Sequence, residues 1–249
     1  MNRMPIVRFS SKEYINQLQA GHLFLRNNMY YQYLEATDAA RSDIYDGSLP
    51  FPDNGLLEFL AGETINNARI MRLDAYVSCY YHCHCIRSGC FYIPESDKEE
   101  LRKFNSDTAI VIDIDKFEER LQIVCAQKGI EILFGDVTYY NDEELAYLVR
   151  NLKGGNIPQI LSAPQLLKDR AFFNQHEYRV SVTYKPKMLL ENPSASMIRQ
   201  NDREKEELRN SIYLLDIGSI EDFSTVIPTE ELFTSYIMPI QGGDSNGNK

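Results

Sequence analysis

Nothing in this chain offers the roughly 18 consecutive apolar residues that a membrane-spanning helix needs. Its opening, MNRMPIVRFSS, lacks the apolar core of a secretory signal. Basic charge is scarce as well. The 26 Lys and Arg stand against 36 Asp and Glu, a formal charge of -10, which disfavours a protein whose main task is to coat nucleic-acid phosphates but leaves room for a local basic pocket. The signatures GxGxxG, P-loop, HExxH and GxSxG are all missing, so the familiar nucleotide, zinc-protease and esterase routes have no support. No internal repeat is visible. The five cysteines are odd in number, with four of them between Cys79 and Cys90, which argues against a secreted disulfide framework and for reduced thiols. A soluble, cytoplasmic protein with no membrane partner is the expectation.

What the chain does have is length and patterning. With 249 residues, 43% hydrophobic and 25% charged, it can bury a sizeable core. PIVRF reads as a first strand; Ser10 or Ser11 caps a helix over KEYINQLQ that Gly21 ends, and HLFLRN reads as a second strand. A long tyrosine-, Asp- and Gly-rich stretch follows, with a helical turn expected near Tyr31 to Glu35. Strand patterns recur at ARIMRLDAYVSCYYHCHC, TAIVIDID and EILFGDVTYY, and helical ones at IDKFEERLQIVCAQKG and NDEELAYLVRNLKGG. A further helix is expected over residues 163–173, APQLLKDRAFF, and one more strand within residues 201–220. The economical architecture is a single α+β domain over residues 1–241 with a flexible tail over 242–249.

Two clusters invite a chemical reading. SCYYHCHCIRSGC tempts a zinc assignment, but strand alternation puts Cys79, Tyr81, Cys83 and Cys85 on one face and His82 and His84 on the other, whereas a structural zinc site takes a tight CxxC-type knuckle from each of two places. Cysteines used as small hydrophobes are the preferred reading, and no metal is expected here or needed for folding. In RNNMYYQYLE, Tyr30 and Tyr31 present aromatic faces beside Arg26 and Asn27 that can stack on a flat heterocycle. RSDIYDG places Arg41, Asp43 and Asp46 in a turn-rich segment.

The stretch FFNQHEYRVSV carries the sharpest signal. From Glu177 on, alternation puts Tyr178, Val180 and Val182 on one face and Glu177, Arg179 and Ser181 on the other, with Gln175 on Glu177's side, as in a half-buried strand. The bland reading is an edge strand with an exposed Glu177–Arg179 pair of little worth. The functional reading assigns a carboxylate that stabilises positive, oxocarbenium-like charge on a sugar and, near the start, an arginine whose planar fork clamps a pyrophosphate. Arg8 and Glu177 fit these roles, and Glu177→Gln is expected to leave folding intact.

Taken in order, Arg8 on the first strand, SSKEYINQLQAGHLFL, the strand carrying Ser78, and Gln175-His176-Glu177 resemble the ADP-ribosyltransferase fold of the arginine-serine-glutamate type. The serine motif departs from Ser-Thr-Ser and reads VSCYY, so Ser78 and Tyr80 compete for its middle position. The layout of GHLFLRNNMYYQYLE and RSDIYDG also looks like bacterial and phage proteins of toxin or defence type. The resemblance implies an α+β fold with an ADP-ribosyltransferase-like split β-sheet core and peripheral helices, and NAD as substrate. It implies Glu177 as the catalytic residue, NAD contacts from Arg8, Ser78, Tyr30, Tyr31 and Arg41, and acceptor contacts from Gln175 and Tyr80. The implied activity is transfer of ADP-ribose to a protein or nucleic acid, with a neutralising protein as a further partner. Two other readings stand beside it: a non-catalytic interaction module on the same scaffold, and a zinc-dependent hydrolase built on the cysteine cluster.

Overall fold

The computed structural model describes residues 3–32, 47–50, 69–72, 75–85, 90–141, 143–144, 163–183, 188–191 and 207–234. Arg41, most of the helix expected at 141–155 and the tail over 242–249 lie outside these residues. Within them, helices pack on antiparallel sheet, an α+β arrangement.

Strand β1 (Ile6–Ser10), helix α1 (Lys12–Gln19) and strand β2 (His22–Asn27) fall where the sequence pattern puts them. Gly21, between α1 and β2, has a φ of 101° and lies so close to Gly218 that a Cβ would come within 2.2 Å of its carbonyl oxygen. Only glycine combines that backbone with that approach. Helix α2 (Asn28–Gln32) starts earlier than the expected turn. Strands β3 (Ser48–Pro50) and β4 (Arg69–Arg72) join a small side sheet, while β5 (Ala75–His82) enters the main one. The short pair β6 (His84–Cys85) and β7 (Phe91–Tyr92) leads into helix α3 (Glu95–Arg102).

Strand β8 (Thr108–Ile112) is wholly buried and apolar after its first residue. It runs into helix α4 (Ile114–Lys128), whose start is capped by the Asp113 carboxylate, accepting from the Asp115 and Lys116 N–H groups at 3.1 and 3.2 Å. Gly129, at φ 65°, ends α4 in the left-handed conformation typical of such ends. Strands β9 (Glu131–Asp136), β10 (Thr138–Tyr140), β11 (Leu167–Asp169), β12 (Glu177–Thr183) and β13 (Met188–Glu191) follow, then β14 (Ile212–Asp216), β15 (Ser224–Pro228) and helix α5 (Thr229–Thr234).

The main sheet runs β14-β2-β5-β1-β8-β15, with β12 on the other side of β5 and β9 beyond it. One face carries Ile6, Ile110, Ile112, Tyr178, Val180 and Val182 against Ile15 and Leu18 of α1 and Phe117, Leu121 and Cys125 of α4. These helical residues recur at three- and four-residue steps, the stripe a helix needs to lie on a sheet. On the opposite face Val7, Tyr81, Ala109 and Val111 pack with Leu101 of α3 and with Leu232 and Phe233 of α5.

Two sequence expectations are corrected here. Residues 163–173 form no continuous α-helix: a 3-10 turn (Pro164–Leu166) leads into β11, and a second 3-10 helix (Arg170–Gln175) follows. Parallel pairing of Leu167–Asp169 with Thr138–Tyr140 wins over local helical preference. Strand β12 is neither an edge nor half-buried. It is bonded to β5 on one side and β9 on the other, and all seven of its residues are buried, charged ones included.

Candidate functional site

Strand β12 pairs with β5 along its length, from Glu177 opposite Tyr81 to Thr183 opposite Ala75. The other edge of β5 is shared. β1 bonds it at His82 and Tyr81, β2 bonds it at Val77 and Tyr76, and Ser78, Cys79 and Tyr80 between them have no strand partner on that side. Diverging strands leave backbone carbonyls to be satisfied another way. Arg8 does so, donating from its guanidinium to the Cys79 carbonyl while lying 5.8 Å from the Tyr80 ring centroid.

At this opening lies a cleft of about 260 Å³ lined by Arg8, Arg26, Tyr30, Tyr31, Cys79 and Tyr80 and by Lys168, Gln175, Glu177 and Arg179. Its size is near the lower end of small-molecule sites, roughly 300–1,000 Å³. The Arg26 guanidinium lies 4.6 Å from the Tyr30 ring centroid, which in turn is 5.5 Å from that of Tyr31. Burial and the nearby Cys79 push the Tyr31 hydroxyl pKa up, and burial takes that of Tyr80 to about 12, so both stay neutral hydrogen-bonding groups at physiological pH.

Glu177 sits at the centre of a buried ionic cluster. Lys168 Nζ donates to its Oε1 at 2.5 Å and to Gln175 Oε1 at 2.8 Å. Arg179 approaches Oε2 with Nε and with a terminal nitrogen, each at 2.7 Å, and its other terminal nitrogen donates to the Gln165 carbonyl at 3.0 Å. Lys168 and Arg179 are 2% and 1% exposed. Burial alone would raise the Glu177 pKa, but the charges of Arg179 and Lys168 overcome it and bring the value to about 2, well below the usual carboxylate range. The register of β10 with β11, Tyr139 opposite Lys168, explains why both reach this point: the Glu177 N–H donates to the Tyr139 hydroxyl at 2.8 Å.

The cleft therefore brings together Arg8, Tyr30, Tyr31, Tyr80, Gln175 and Glu177. Ser78 is not among its lining residues. Strand alternation turns Ser78 to the face opposite Glu177, where with Arg8 and Ser10 it borders a smaller adjoining pocket, and its neighbour Cys79 takes the place at the cleft. Arg41 falls outside the described residues. Gln175 lies in a 3-10 helix and not on the strand; it reaches the cluster through Lys168, and the chain turns into β12 at His176, whose φ is 39°. The Glu177–Arg179 pair is buried, not solvated. Of the cysteines, Cys83 belongs to the apolar cluster around Tyr81 and Cys125 to the main core, as small hydrophobes.

Sequence reasoning missed Lys168 and Tyr139. Lys168 sat inside an apparent helix, and its approach to Glu177 depends on strand pairing that no local pattern announces. Comparison of the chain with family models, with curated proteins and with solved structures returned no match.

Proposed function

We propose that this is an ADP-ribosyltransferase-like protein that binds NAD in the cleft between β1 and β2 and transfers ADP-ribose to a macromolecular acceptor, a protein or a nucleic acid. The observation that carries this reading is that Arg8 and Glu177, far apart in sequence, both line one cleft beside the opening in the sheet. Such a split sheet is what the resemblance to the arginine-serine-glutamate ADP-ribosyltransferases implies. Arg8 and Arg26 supply forked donors for a diphosphate, and Tyr30 and Tyr31 supply faces for a heterocycle.

In the proposed reaction the bond between ribose C1′ and the nicotinamide nitrogen breaks, and its electron pair leaves with neutral nicotinamide. An acceptor nucleophile then bonds to C1′ and gives its proton to solvent. Glu177 would hold a ribose hydroxyl and stabilise the cationic sugar. Lys168 and Arg179 occupy three of the roughly four acceptor positions of its carboxylate, so a ribose hydroxyl has to use the remaining one or displace one of these donors.

That same feature favours a second reading. Two cations and one carboxylate leave the cluster net positive, which suits an anionic nucleotide better than a cationic transition state. A non-catalytic nucleotide-binding module on this scaffold follows from it. Titration of NAD by calorimetry together with a nicotinamide-release assay distinguishes the two. Binding with release that Glu177→Gln abolishes supports the enzyme, binding without release supports the module, and absence of binding overturns both.

A further inference from the structure

The structure holds a second cluster of chemistry-bearing side chains, at the far end of the turn that sets Glu177. His84 on β6, Asp97 in the first turn of α3 and His176 at the entry to β12 each offer one ligand atom, and the three atoms lie within 4.8 Å of one another. His84 Nε2 is 3.2 Å and His176 Nε2 is 3.5 Å from the same oxygen, Asp97 Oδ2. The two imidazole rings stand 4.5 Å apart, nearly perpendicular at 81°.

We propose that His84, Asp97 and His176 form a binding site for a divalent first-row transition ion of the zinc class. Bonds of about 2.0–2.2 Å from a tetrahedral ion to nitrogen and oxygen require ligand atoms roughly 3.3–3.5 Å apart. The two separations to Asp97 Oδ2, 3.2 and 3.5 Å, lie close to that edge, and an ion would draw together the ligand atoms that now lie within 4.8 Å of one another. Two imidazoles and one carboxylate suit zinc and its neighbours rather than calcium or magnesium, which prefer all-oxygen shells.

Three further features separate this site from a chance hydrogen-bonded trio. First, Asp97 is 2% exposed, yet among the described residues no Lys or Arg reaches it. A metal ion held by Asp97 and the two imidazoles would place a positive charge against this buried carboxylate. Second, Asp97 is held in place from behind: the Tyr81 hydroxyl donates to Oδ2 at 2.7 Å and the Ser96 hydroxyl to Oδ1 at 2.9 Å, as outer-shell partners orient metal ligands. Third, His176 has a left-handed backbone, φ 39° and ψ 52°, without being a glycine, an arrangement that clusters at functional sites. Its carbonyl accepts from the His82 N–H at 2.8 Å and its N–H donates to the Phe173 carbonyl at 3.1 Å, which holds the turn that carries the imidazole.

The side chains of His84 and His176 keep 33% and 24% of their exposure, so water can complete the shell and an ion can enter. The site shares His84 with the cysteine-rich stretch but uses none of the described thiols. It is therefore not a cysteine knuckle of the kind that the thiol spacing disfavours. A bound ion would tie β6, α3 and the Gln175–Glu177 turn together. The inference is independent of whether the cleft takes NAD.

The test uses the full chain, stripped with chelator and titrated with zinc chloride and, separately, with cobalt(II) chloride. One equivalent of zinc, and a cobalt spectrum with ligand-field bands but no thiolate charge-transfer band, are expected. His84→Ala, at a partly exposed position, should abolish stoichiometric binding, and Tyr81→Phe should weaken it about 10–100-fold. Failure of the unmodified chain to bind zinc, a thiolate-to-cobalt charge-transfer band, or full binding by a folded His84→Ala variant would each overturn the proposal. Because the cobalt spectrum is read on the unmodified chain, the outcome does not depend on any variant folding.

Discussion

Replacing Glu177 with glutamine removes one negative charge from between two buried cations and leaves the volume unchanged. On the sequence pattern alone, an exposed strand residue would tolerate this. The structure reverses that expectation. Lys168 and Arg179 are 2% and 1% exposed, and both take Glu177 as an ionic partner at 2.5–2.7 Å. Removing one member of a buried pair leaves an uncompensated charge in low dielectric and costs about 3–5 kcal/mol. In a chain of 249 residues, each kcal/mol moves the melting midpoint by about 2–4 °C, so Glu177→Gln should melt roughly 6–20 °C lower. Lys168→Met makes the complementary change. It leaves a balanced Glu177–Arg179 pair and sacrifices charge-assisted hydrogen bonds worth about 1–3 kcal/mol, so it should be the milder variant. Glu144→Gln is the control, since its pair with Arg170 has both side chains more than half exposed and contributes at most about 1 kcal/mol. Differential scanning calorimetry with urea titration gives the ranking. If Glu177→Gln melts within 2 °C of the unmodified chain, or if Lys168→Met is the more damaging change, the buried ionic cluster is wrong. A nicotinamide-release comparison has to be run well below the midpoint of the glutamine variant, otherwise lost activity reports lost folding.

Arg8→Ala deletes a partly exposed guanidinium at the sheet opening, so folding should persist while NAD affinity falls about 10–100-fold, the worth of one or two charge-assisted bonds; unchanged affinity in calorimetry would remove Arg8 from the site. The Cys83 thiol is 2% exposed and burial pushes its pKa up, and the Cys125 pKa is raised as well, so iodoacetamide at mildly alkaline pH should label the half-buried Cys79 and Cys90 first. Peptide mass spectrometry showing Cys83 labelled as fast as Cys90 in the folded protein would contradict that packing. Gly21→Ala and Gly129→Ala both force a side chain into a left-handed backbone, but only at Gly21 does the new Cβ strike a carbonyl, at 2.2 Å. Gly129→Ala should cost about 1–2 kcal/mol and Gly21→Ala clearly more, and equal thermal shifts would show that the approach to Gly218 relaxes freely.

Local elements were legible in the sequence because they answer to local physics. The stripe of Ile114, Phe117, Leu121 and Cys125, the Asp113 cap and Gly129 define α4 without reference to anything distant. The apolar run Thr108–Ile112 defines β8, and alternation defines the two faces of β12. Arg8 and Glu177 could also be picked out as candidates by residue type, and both line the cleft. What the sequence left open was environment. Alternation tells which residues share a face but not what covers it, so Glu177 and Arg179 read equally well as a solvated pair or a buried one. Only the placement of β12 between β5 and β9 decides for burial. Likewise Lys168 meets Glu177 because a three-residue parallel pairing with β10 overrides a helical preference, and His84, Asp97 and His176 meet because separate elements converge. Such contacts arise from long-range strand register and helix docking, whose energy is non-local, and no spacing along the chain encodes it.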